Sequence, residues 1–283
     1  MQKRWKIKET DSQTVKDLAE SLGVSNSIAQ LLVLRGINTF DAAKQFFRPD
    51  FSQFHNPFLM KDMQKAVDRI KTAISKNEKI LVYGDYDVDG TTSVAMLYTF
   101  LATHTENIDY YIPDRYTEGY GISLEGIDYA QENNFTLIIA LDCGIRAVNQ
   151  VNYANEKGVE FIICDHHNPA EELPKAVAIL NPKQKDCKYP FKELSGCGVG
   201  FKLIQGYSEK NNITFEEIQS LFDLLVVSIS ADIVPMIDEN RVFSFYGLQL
   251  INKSPRIGLK VLMEVANKTK KITISDVVFG VAP

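Results

Sequence analysis

Three aspartates alternate within one short segment of the chain. Asp85, Asp87 and Asp89 stand at every second position of the segment GDYDVDG, residues 84–90. Carboxylates this close repel one another unless a cation lies between them, so the spacing indicates a divalent metal site. An EF-hand calcium loop also begins D-x-D-x-D-G, but it needs a glutamate at its twelfth position, where this chain has Met96. Asp85 and Asp87 are therefore ligand candidates, whereas Asp89 is explained equally well as a helix cap.

Further acidic and imidazole side chains follow later apolar segments. Asp142 ends the run LIIALD, Asp165-His166-His167 follows the run VEFIIC, and Asp232 follows the segment LFDLLVVSIS. Asp142 taken alone would be explained as a cap of the next helix. The carboxylate of Asp232, at the end of an apolar helix, needs a partner, which is either a metal or an arginine. Carboxylate oxygens with one or two imidazole nitrogens suit Mn²⁺ or Mg²⁺ better than zinc. The number of ligands favours two ions, an arrangement that hydrolyses phosphoesters.

The elements that must position these residues alternate regularly from residue 80 onward. Apolar runs predict strands at 80–84, 108–113, 137–142, 159–165 and 176–181, and amphipathic segments predict helices at 91–104, 123–133 and 146–158. This pattern predicts an α/β fold with a parallel sheet covered by helices on both faces. Ligand sites in such sheets lie outside the carboxyl ends of the strands, so the motifs share one rim. Residues 1–76 are predicted to be a helical N-terminal region, and 77–283 the domain that carries the site.

The composition is that of a globular protein, with 45% hydrophobic and 24% charged residues among 283. No apolar run reaches the roughly 20 residues of a membrane-spanning helix. The N-terminus lacks the apolar stretch of a signal peptide, so we expect a cytoplasmic protein with no membrane partner. The four cysteines form no C-x-x-C pair and are predicted to be buried thiols. The net charge of −5 does not exclude a nucleic-acid substrate, because two bound cations would reverse the local charge.

The four motifs, in this order, resemble the DHH phosphoesterase superfamily, and the chain is similar within it to RecJ-type exonucleases. The segments that carry the RecJ likeness are YGDYDVDG, IPDRYTEGYG, LNPK and SGCGVGFK, together with the helical segments before residue 76. The resemblance covers essentially the whole chain. RecJ proteins continue into a second, phosphoesterase-associated domain and an OB-fold. We therefore expect that this sequence is truncated and lacks both.

The resemblance implies a role for each motif residue in metal binding. Asp85 would hold the first metal and Asp87 the second, and Asp142 would bridge the two. His166 and Asp232 would complete the coordination of the second ion. Many members of the family carry a histidine two residues before the first aspartate, where this chain has Tyr83.

Other residues are expected to assist catalysis or to contact DNA. His167 would contact the scissile phosphate, Asp165 would orient the histidine pair, and Asp89 would support the ligands from behind. Arg115 is the candidate phosphate clamp, although a surface salt bridge explains it as well. Tyr120, like its neighbour Tyr116, would either stack on unpaired bases or pack in the core. Gly198 lies in a glycine run that would either offer backbone N–H groups to phosphate or form a tight turn.

These observations predict metal-dependent phosphodiester hydrolysis with two Mn²⁺ or Mg²⁺ ions. The resemblance implies a 5′-to-3′ exonuclease acting on single-stranded DNA in repair and recombination, with a single-strand-binding protein and a helicase as partners. One alternative is a phosphodiesterase of short oligonucleotides or dinucleotides. A second alternative is a non-catalytic scaffold for replication or repair. Retention of the metal ligands favours an enzyme over the scaffold.

Overall fold

The structure is a computed structural model that describes residues 4, 6, 8–268 and 270–283. The chain divides into two compact units, one ending at Gln53 and one beginning at Phe54. The first unit contains the helices α1 (Ser12–Leu22), α2 (Asn26–Val33) and α3 (Phe40–Phe47). Each begins at a side-chain cap that accepts a hydrogen bond from the first turn, namely Asp11, Ser25 and Thr39. Their apolar faces enclose a small core that includes Leu18, Ala29, Leu32 and Ala43.

The second unit is built on one parallel sheet, as the apolar runs predict. Its strands are β1 (Lys79–Gly84), β2 (Ile108–Tyr111), β3 (Phe135–Leu141), β4 (Glu160–Cys164) and β5 (Ala178–Leu180). They lie in the order β2-β1-β3-β4-β5, and every pairing is parallel. Strand β2 lies on one side of β1, and β3, β4 and β5 follow on the other side. The direction in which strands are added therefore reverses between β1 and β3. Ligands of open α/β sheets bind at such a switch point.

Helices cover both faces of the sheet, which confirms the predicted fold class. The helices are α4 (Met63–Ser75), α5 (Val88–Leu101), α6 (Leu124–Glu132), α7 (Val148–Glu156), α8 (Gly196–Lys210), α9 (Phe215–Ile218), α10 (Phe222–Ala231), α11 (Asp238–Lys253), α12 (Ile257–Val265) and α13 (Ile274–Asp276). One face carries α6 and α7, and the other carries α4, α5 and α8. Helix α10 packs against α5, α8 and α11.

Helix α4 belongs to the second unit by its packing. Its buried face, which includes Met63, Val67 and Ile70, contacts α8 and β5. The first compact unit therefore ends at Gln53, ahead of the predicted limit at residue 76. The functional limits of the site-bearing domain, 77–283, remain a proposal.

The prediction of buried, unpaired cysteines is also met. The four cysteines are buried and unbridged. Within the described part of the chain, no helix has the length and apolarity that crossing a membrane requires.

Candidate metal centre

The strand register brings the predicted motifs to one level of the sheet. Gly84 of β1 pairs with Leu141 of β3, and Leu141 pairs with Cys164 of β4. The residue after each of these is an aspartate, so Asp85, Asp142 and Asp165 leave three neighbouring strands at the same height. All three are almost completely buried. The sheet therefore gathers carboxylates that lie far apart in the sequence.

Backbone N–H groups on either side of Asp85 hold its carboxylate in place. Oδ1 accepts from the N–H of Tyr86 at 2.7 Å, and Oδ2 accepts from the N–H of Gly121 at 3.1 Å. Burial, with a further contribution from the negative charge of Asp87, raises the pKa of Asp85 to about 6. These two backbone donors orient the carboxylate but do not cancel its negative charge.

Asp142 occupies the most constrained position in the site. Its backbone has a φ of 59°, which is unusual for a residue with a side chain, and its N–H donates to the carbonyl of Cys164 at 2.9 Å. The first turn of α8 lies directly against it, and a Cβ added at Gly196 would stand 2.6 Å from the Asp142 Cβ. Burial and the negative charges of Asp89 and Asp87 raise the pKa of Asp142 well above its ordinary value.

Asp165 organises the histidine pair. Its Oδ1 accepts from the N–H of His166 at 2.7 Å, from the N–H of His167 at 3.0 Å and from Nδ1 of His167 at 2.7 Å. Oδ2 accepts from the N–H of Ile145 at 2.9 Å. Burial raises the pKa of Asp165, but these hydrogen bonds outweigh burial and leave that pKa below its ordinary value. The same bond to Asp165 raises the pKa of His167. The fixed ring of His167 is still 42% exposed, so it is presented to the solvent side of the site.

His166 points its second ring nitrogen at carboxylates. Nδ1 lies 3.0 Å from the carbonyl oxygen of Leu194. A carbonyl can only accept, so Nδ1 carries a proton, and in the neutral ring Nε2 is the nitrogen that presents a lone pair. Nε2 lies 3.1 Å from Oδ1 of Asp142, 3.7 Å from Oδ2 of Asp232 and 3.9 Å from Oδ2 of Asp89. Within the described residues, neither Nε2 nor Oδ1 of Asp142 has a hydrogen-bond partner, although both are buried.

Asp87 and Asp232 lie at helix ends and are more exposed than the other acids. Asp87 caps α5 by accepting from the N–H of Gly90 at 2.9 Å. Asp232 follows α10, and its side chain is 33% exposed. Burial and the charge of Asp89 raise the pKa of Asp232. The two aspartates border one depression together with Asp89.

Asp89 links three helices and does not act as a simple cap. Its carboxylate accepts from the N–H groups of Gly196 at 2.7 Å and Cys197 at 2.8 Å, and from the Ser228 hydroxyl at 2.7 Å. The side chain begins in the first turn of α5, and its partners begin α8 and lie within α10. Both oxygens are therefore occupied, and burial raises the pKa of the group.

The Tyr83 side chain forms its hydrogen bonds with the backbone of a loop and not with the carboxylates. Its hydroxyl donates to the carbonyl of Gly121 at 2.9 Å and accepts from the N–H of Ser123 at 3.0 Å. The ring stacks on Tyr111 with 5.5 Å between ring centroids. Burial raises its pKa, so the group is a neutral phenol.

The predicted DNA-contact residues form an aromatic rim that reaches His167. The Arg115 guanidinium lies 4.9 Å from the centroid of the Tyr86 ring. Tyr86 meets Tyr120 edge to face at 5.8 Å, and Tyr120 meets His167 at 6.4 Å. Tyr120 is 56% exposed and Tyr116 is 91% exposed, so neither is a core residue.

Gly198 does not join this rim. It is buried in the first turn of α8, and its N–H donates to the Ser195 hydroxyl at 3.1 Å. The N–H groups of Gly196 and Cys197 are occupied by Asp89. The glycine run therefore serves close packing around Asp142 and leaves these N–H groups no capacity to hold a phosphate.

Three residues that the motifs did not indicate also shape the site. Asn181 follows β5 at the level of the aspartates and donates to the carbonyl of His167 at 2.9 Å. Ser228 bonds both Asp89 and the Ser195 hydroxyl. Nε of Arg146 donates to the carbonyl of Asn168 at 2.9 Å. Two of them have a sequence signal, because Asn181 lies in the segment LNPK and Arg146 stands directly after the Asp-Cys-Gly-Ile motif.

Fold and site together define an α/β protein with a carboxylate–histidine centre at the switch point of its sheet. The family model described as DHH family, N-terminal domain, matches residues 79–229, more than half of the chain. The chain belongs to the DHH family.

The curated relatives it matches include single-stranded-DNA-specific exonucleases named RecJ. The chain is 43% identical over 263 residues to that of Bacillus subtilis, covering 93% of this chain and 33% of that protein. It is 36% identical over 233 residues to that of Escherichia coli, covering 78% of this chain and 40% of that protein. The chain thus spans well under half the length of these relatives.

Solved structures of similar proteins have the same fold. A crystal structure of exonuclease RecJ bound to manganese matches with a TM-score of 0.71 and 31% identity, over 79% of this chain and 56% of that one. RecJ from Thermus thermophilus in complex with Mn²⁺ matches with a TM-score of 0.79 and 26% identity, over 96% of this chain and 38% of that one.

Proposed function

We propose that this chain is the catalytic part of a metal-dependent exonuclease that degrades single-stranded DNA from the 5′ end. Phosphodiester hydrolysis is supported by the site itself. The choice of single-stranded DNA is supported by the names of the curated relatives. The 5′-to-3′ direction is taken from the family resemblance.

One observation carries the proposal. Nε2 of His166 and Oδ1 of Asp142 face each other at 3.1 Å as two acceptors, buried and without another partner in the described chain. Two lone pairs at this distance repel unless a proton or a cation lies between them. Near them, burial and the negative charge of a neighbouring aspartate raise the pKa values of Asp85 and Asp232. An oxygen-rich donor set with one imidazole nitrogen fits Mn²⁺ or Mg²⁺.

The ligand assignment follows the motifs. Asp85 would hold a first ion, Asp87 a second, and Asp142 would bridge them. His166 and Asp232 would complete the second site. When bound, two such ions polarise the phosphodiester and supply a hydroxide at neutral pH. Manganese is favoured because two similar proteins were solved with it, and magnesium occurs in another RecJ structure.

The chain's own side chains orient the reacting groups. The hydrogen bond that Nδ1 of His166 donates to the carbonyl of Leu194 fixes the ring, so Nε2 would be the ligand atom. Asp165 holds the His167 ring through Nδ1 and favours its protonated form. We propose that the Nε2–H of His167 donates to a non-bridging oxygen of the scissile phosphate and stabilises the charge that develops there.

A path for a single strand leads away from this point. The rim of Arg115, Tyr86 and Tyr120 offers a guanidinium for phosphate and exposed rings for unpaired bases. Duplex DNA keeps its base faces stacked, so aromatic contacts of this kind favour single strands. A single-strand-binding protein and a helicase would supply such a substrate in repair and recombination, and we place this activity in the cytoplasm.

The decisive experiment compares Asp142→Asn with the wild-type chain. Mn²⁺ binding is measured by calorimetry, and digestion of a long 5′-labelled single strand is followed on a gel. We expect the wild type to bind two ions and to shorten the strand stepwise from its 5′ end. The variant should lose ion binding and activity, because the proposed bridging carboxylate becomes a neutral amide.

Asp186→Asn is the matched control, since Asp186 is an exposed aspartate paired with Lys61. It should retain both properties. Activity confined to dinucleotides would favour a phosphodiesterase of short substrates. A wild-type chain that binds no divalent metal would favour a scaffold. Normal activity of Asp142→Asn would refute the bridging role.

A further inference from the structure

A cavity of about 340 Å³ lies beside His167, outside the set of proposed metal ligands. It is lined chiefly by Tyr120 and Ile122 before α6, by Ile145 and Arg146 after β3, by Gln150 of α7, and by His167. Binding pockets for small molecules span about 300–1,000 Å³, so this one is sized for a single nucleoside and not for several.

The cavity has an apolar floor and an aromatic edge. Ile122, Cys143 and Ile145 are buried beneath it. The Tyr120 ring stands at its border, edge to face with His167. Apolar and aromatic surfaces of this kind bind an unpaired base through its flat faces, with little dependence on its sequence.

A cation is held at the other wall. Nε of Arg146 donates to the carbonyl of Asn168 at 2.9 Å, which ties the guanidinium to the loop that carries His167. In the described part of the chain, its two terminal nitrogens have no hydrogen-bond partner. The Gln150 side chain lines the same wall. Both groups are able to donate to the ring-nitrogen and carbonyl acceptors on the edge of a base.

We propose that this cavity binds the nucleoside that is joined through its 5′ oxygen to the scissile phosphate. Its base would lie on Ile122 and Ile145, and the edge of the base would be hydrogen-bonded to Arg146. The assignment rests on the proposed function, because it takes His167 as the contact for that phosphate. His167 lines the cavity, so a phosphate bound there places its attached nucleoside at the cavity mouth. Arg146 would thus determine substrate affinity, and it would not take part in bond cleavage.

Binding of thymidine 5′-monophosphate provides a test that is independent of turnover. The dissociation constant is measured by calorimetry with Mn²⁺ present, for the full chain and for Arg146→Gln. Loss of a charge-assisted hydrogen bond should weaken binding about tenfold. Gln150→Trp, which fills the cavity, should weaken it by a similar factor. Lys71→Gln removes an exposed charge from α4, on the opposite face of the sheet, and should leave the constant unchanged.

Hydrolysis of two small esters separates this proposal from the proposed function. The p-nitrophenyl ester of thymidine 5′-phosphate carries a nucleoside, and bis(p-nitrophenyl) phosphate does not. Arg146→Gln should raise KM for the first about tenfold more than for the second, with similar kcat values. An equal change for both esters, or unaltered thymidine 5′-monophosphate binding, would overturn the cavity assignment. If binding is weakened as expected but the wild type hydrolyses neither ester with Mn²⁺, the cavity still binds a nucleotide through Arg146, but the proposed function fails and the nucleotide is not a substrate.

Discussion

Replacing Gly196 by alanine tests whether the position of Asp142 determines activity. Gly196 begins α8, and its N–H is held by Oδ2 of Asp89 at 2.7 Å. An added Cβ would stand 2.6 Å from the Asp142 Cβ and 2.7 Å from its Cγ. The helix is anchored by Asp89 and by the Ser195 cap, so Asp142 must move. Asp142 has little freedom to do so, because its backbone follows β3 and is bonded to Cys164.

The size of the effect follows from these distances. Carbon atoms in contact lie about 3.5–4.0 Å apart, so Asp142 must shift by roughly 1 Å. A displacement of about 1 Å in a catalytic group costs on the order of 100-fold in rate. Overpacking of this kind also destabilises a protein by about 1–3 kcal/mol. We therefore expect a folded variant with much weaker activity.

The assay measures the rate of Mn²⁺-dependent digestion of single-stranded DNA, together with urea unfolding. Gly198→Ala is the matched control in the same helical turn. Its added Cβ would meet only side-chain atoms, the nearest being a Leu194 methyl carbon at 3.3 Å. We expect Gly198→Ala to retain most of its activity. Activity of Gly196→Ala equal to that of the wild type, or an equal loss in both variants, would refute the reasoning.

Four further variants test the contacts of Tyr83, the Lys202–Glu239 pair and His104. Tyr83→Phe leaves buried backbone groups of residues 121–123 unpaired and should cost about 1–3 kcal/mol in urea unfolding, with partial loss of activity; unchanged stability would count against it. Lys202 and Glu239 form a fully buried ion pair at 2.9 Å, so Lys202→Met should cost about 3–5 kcal/mol. Lys202→Met/Glu239→Leu should recover only part of this loss, because Tyr189 and His55 then lose Glu239 as an acceptor; equal losses in both variants would contradict this. Burial lowers the pKa of His104 in the folded protein below its ordinary value of 6.5, because it favours the neutral ring. The contribution of the neutral ring to stability is therefore complete above pH 6.5 and is lost as the pH falls through the lower pKa of the folded state. His104→Leu should make the decline of stability in acid shallower, measured by urea unfolding at several pH values, and an unaltered decline would rule this out.

The predictable part of this molecule is the part specified by local pattern. Apolar runs marked the five strands because a parallel sheet covered on both faces needs nearly continuous apolar strands. The carboxyl ends of parallel strands meet at one edge, so the grouping of Asp85, Asp142 and Asp165 followed from the strand assignment alone. The ligand types then indicated metal-dependent chemistry without any knowledge of the side-chain geometry.

The remaining features depend on contacts between distant segments. Asp89 stands at the start of α5, where local reasoning favours a cap and a ligand equally. Its actual partners are N–H groups more than a hundred residues later, at Gly196 and Cys197. The same contact explains why the sequence left two roles open for Gly198, since a glycine run indicates close approach of the backbone but does not identify the group that approaches. Arg146 was missed because nothing in its neighbourhood predicts the bond to Asn168.

Tyr83 is where the chain departs most clearly from the pattern it resembles, and the structure shows what its side chain does. Its hydroxyl holds Gly121, and the N–H of Gly121 holds Asp85 at 3.1 Å. Tyr83 therefore supports the proposed first ligand through the loop and makes no direct contact with it. An imidazole at this position is too short to reach both Gly121 and Ser123 from the same ring. A histidine here would thus remove the bonds that hold Gly121 and Ser123, and with them the support for the Gly121 N–H that donates to Asp85. The tyrosine and this loop act as one unit, so restoring the histidine alone should weaken the site.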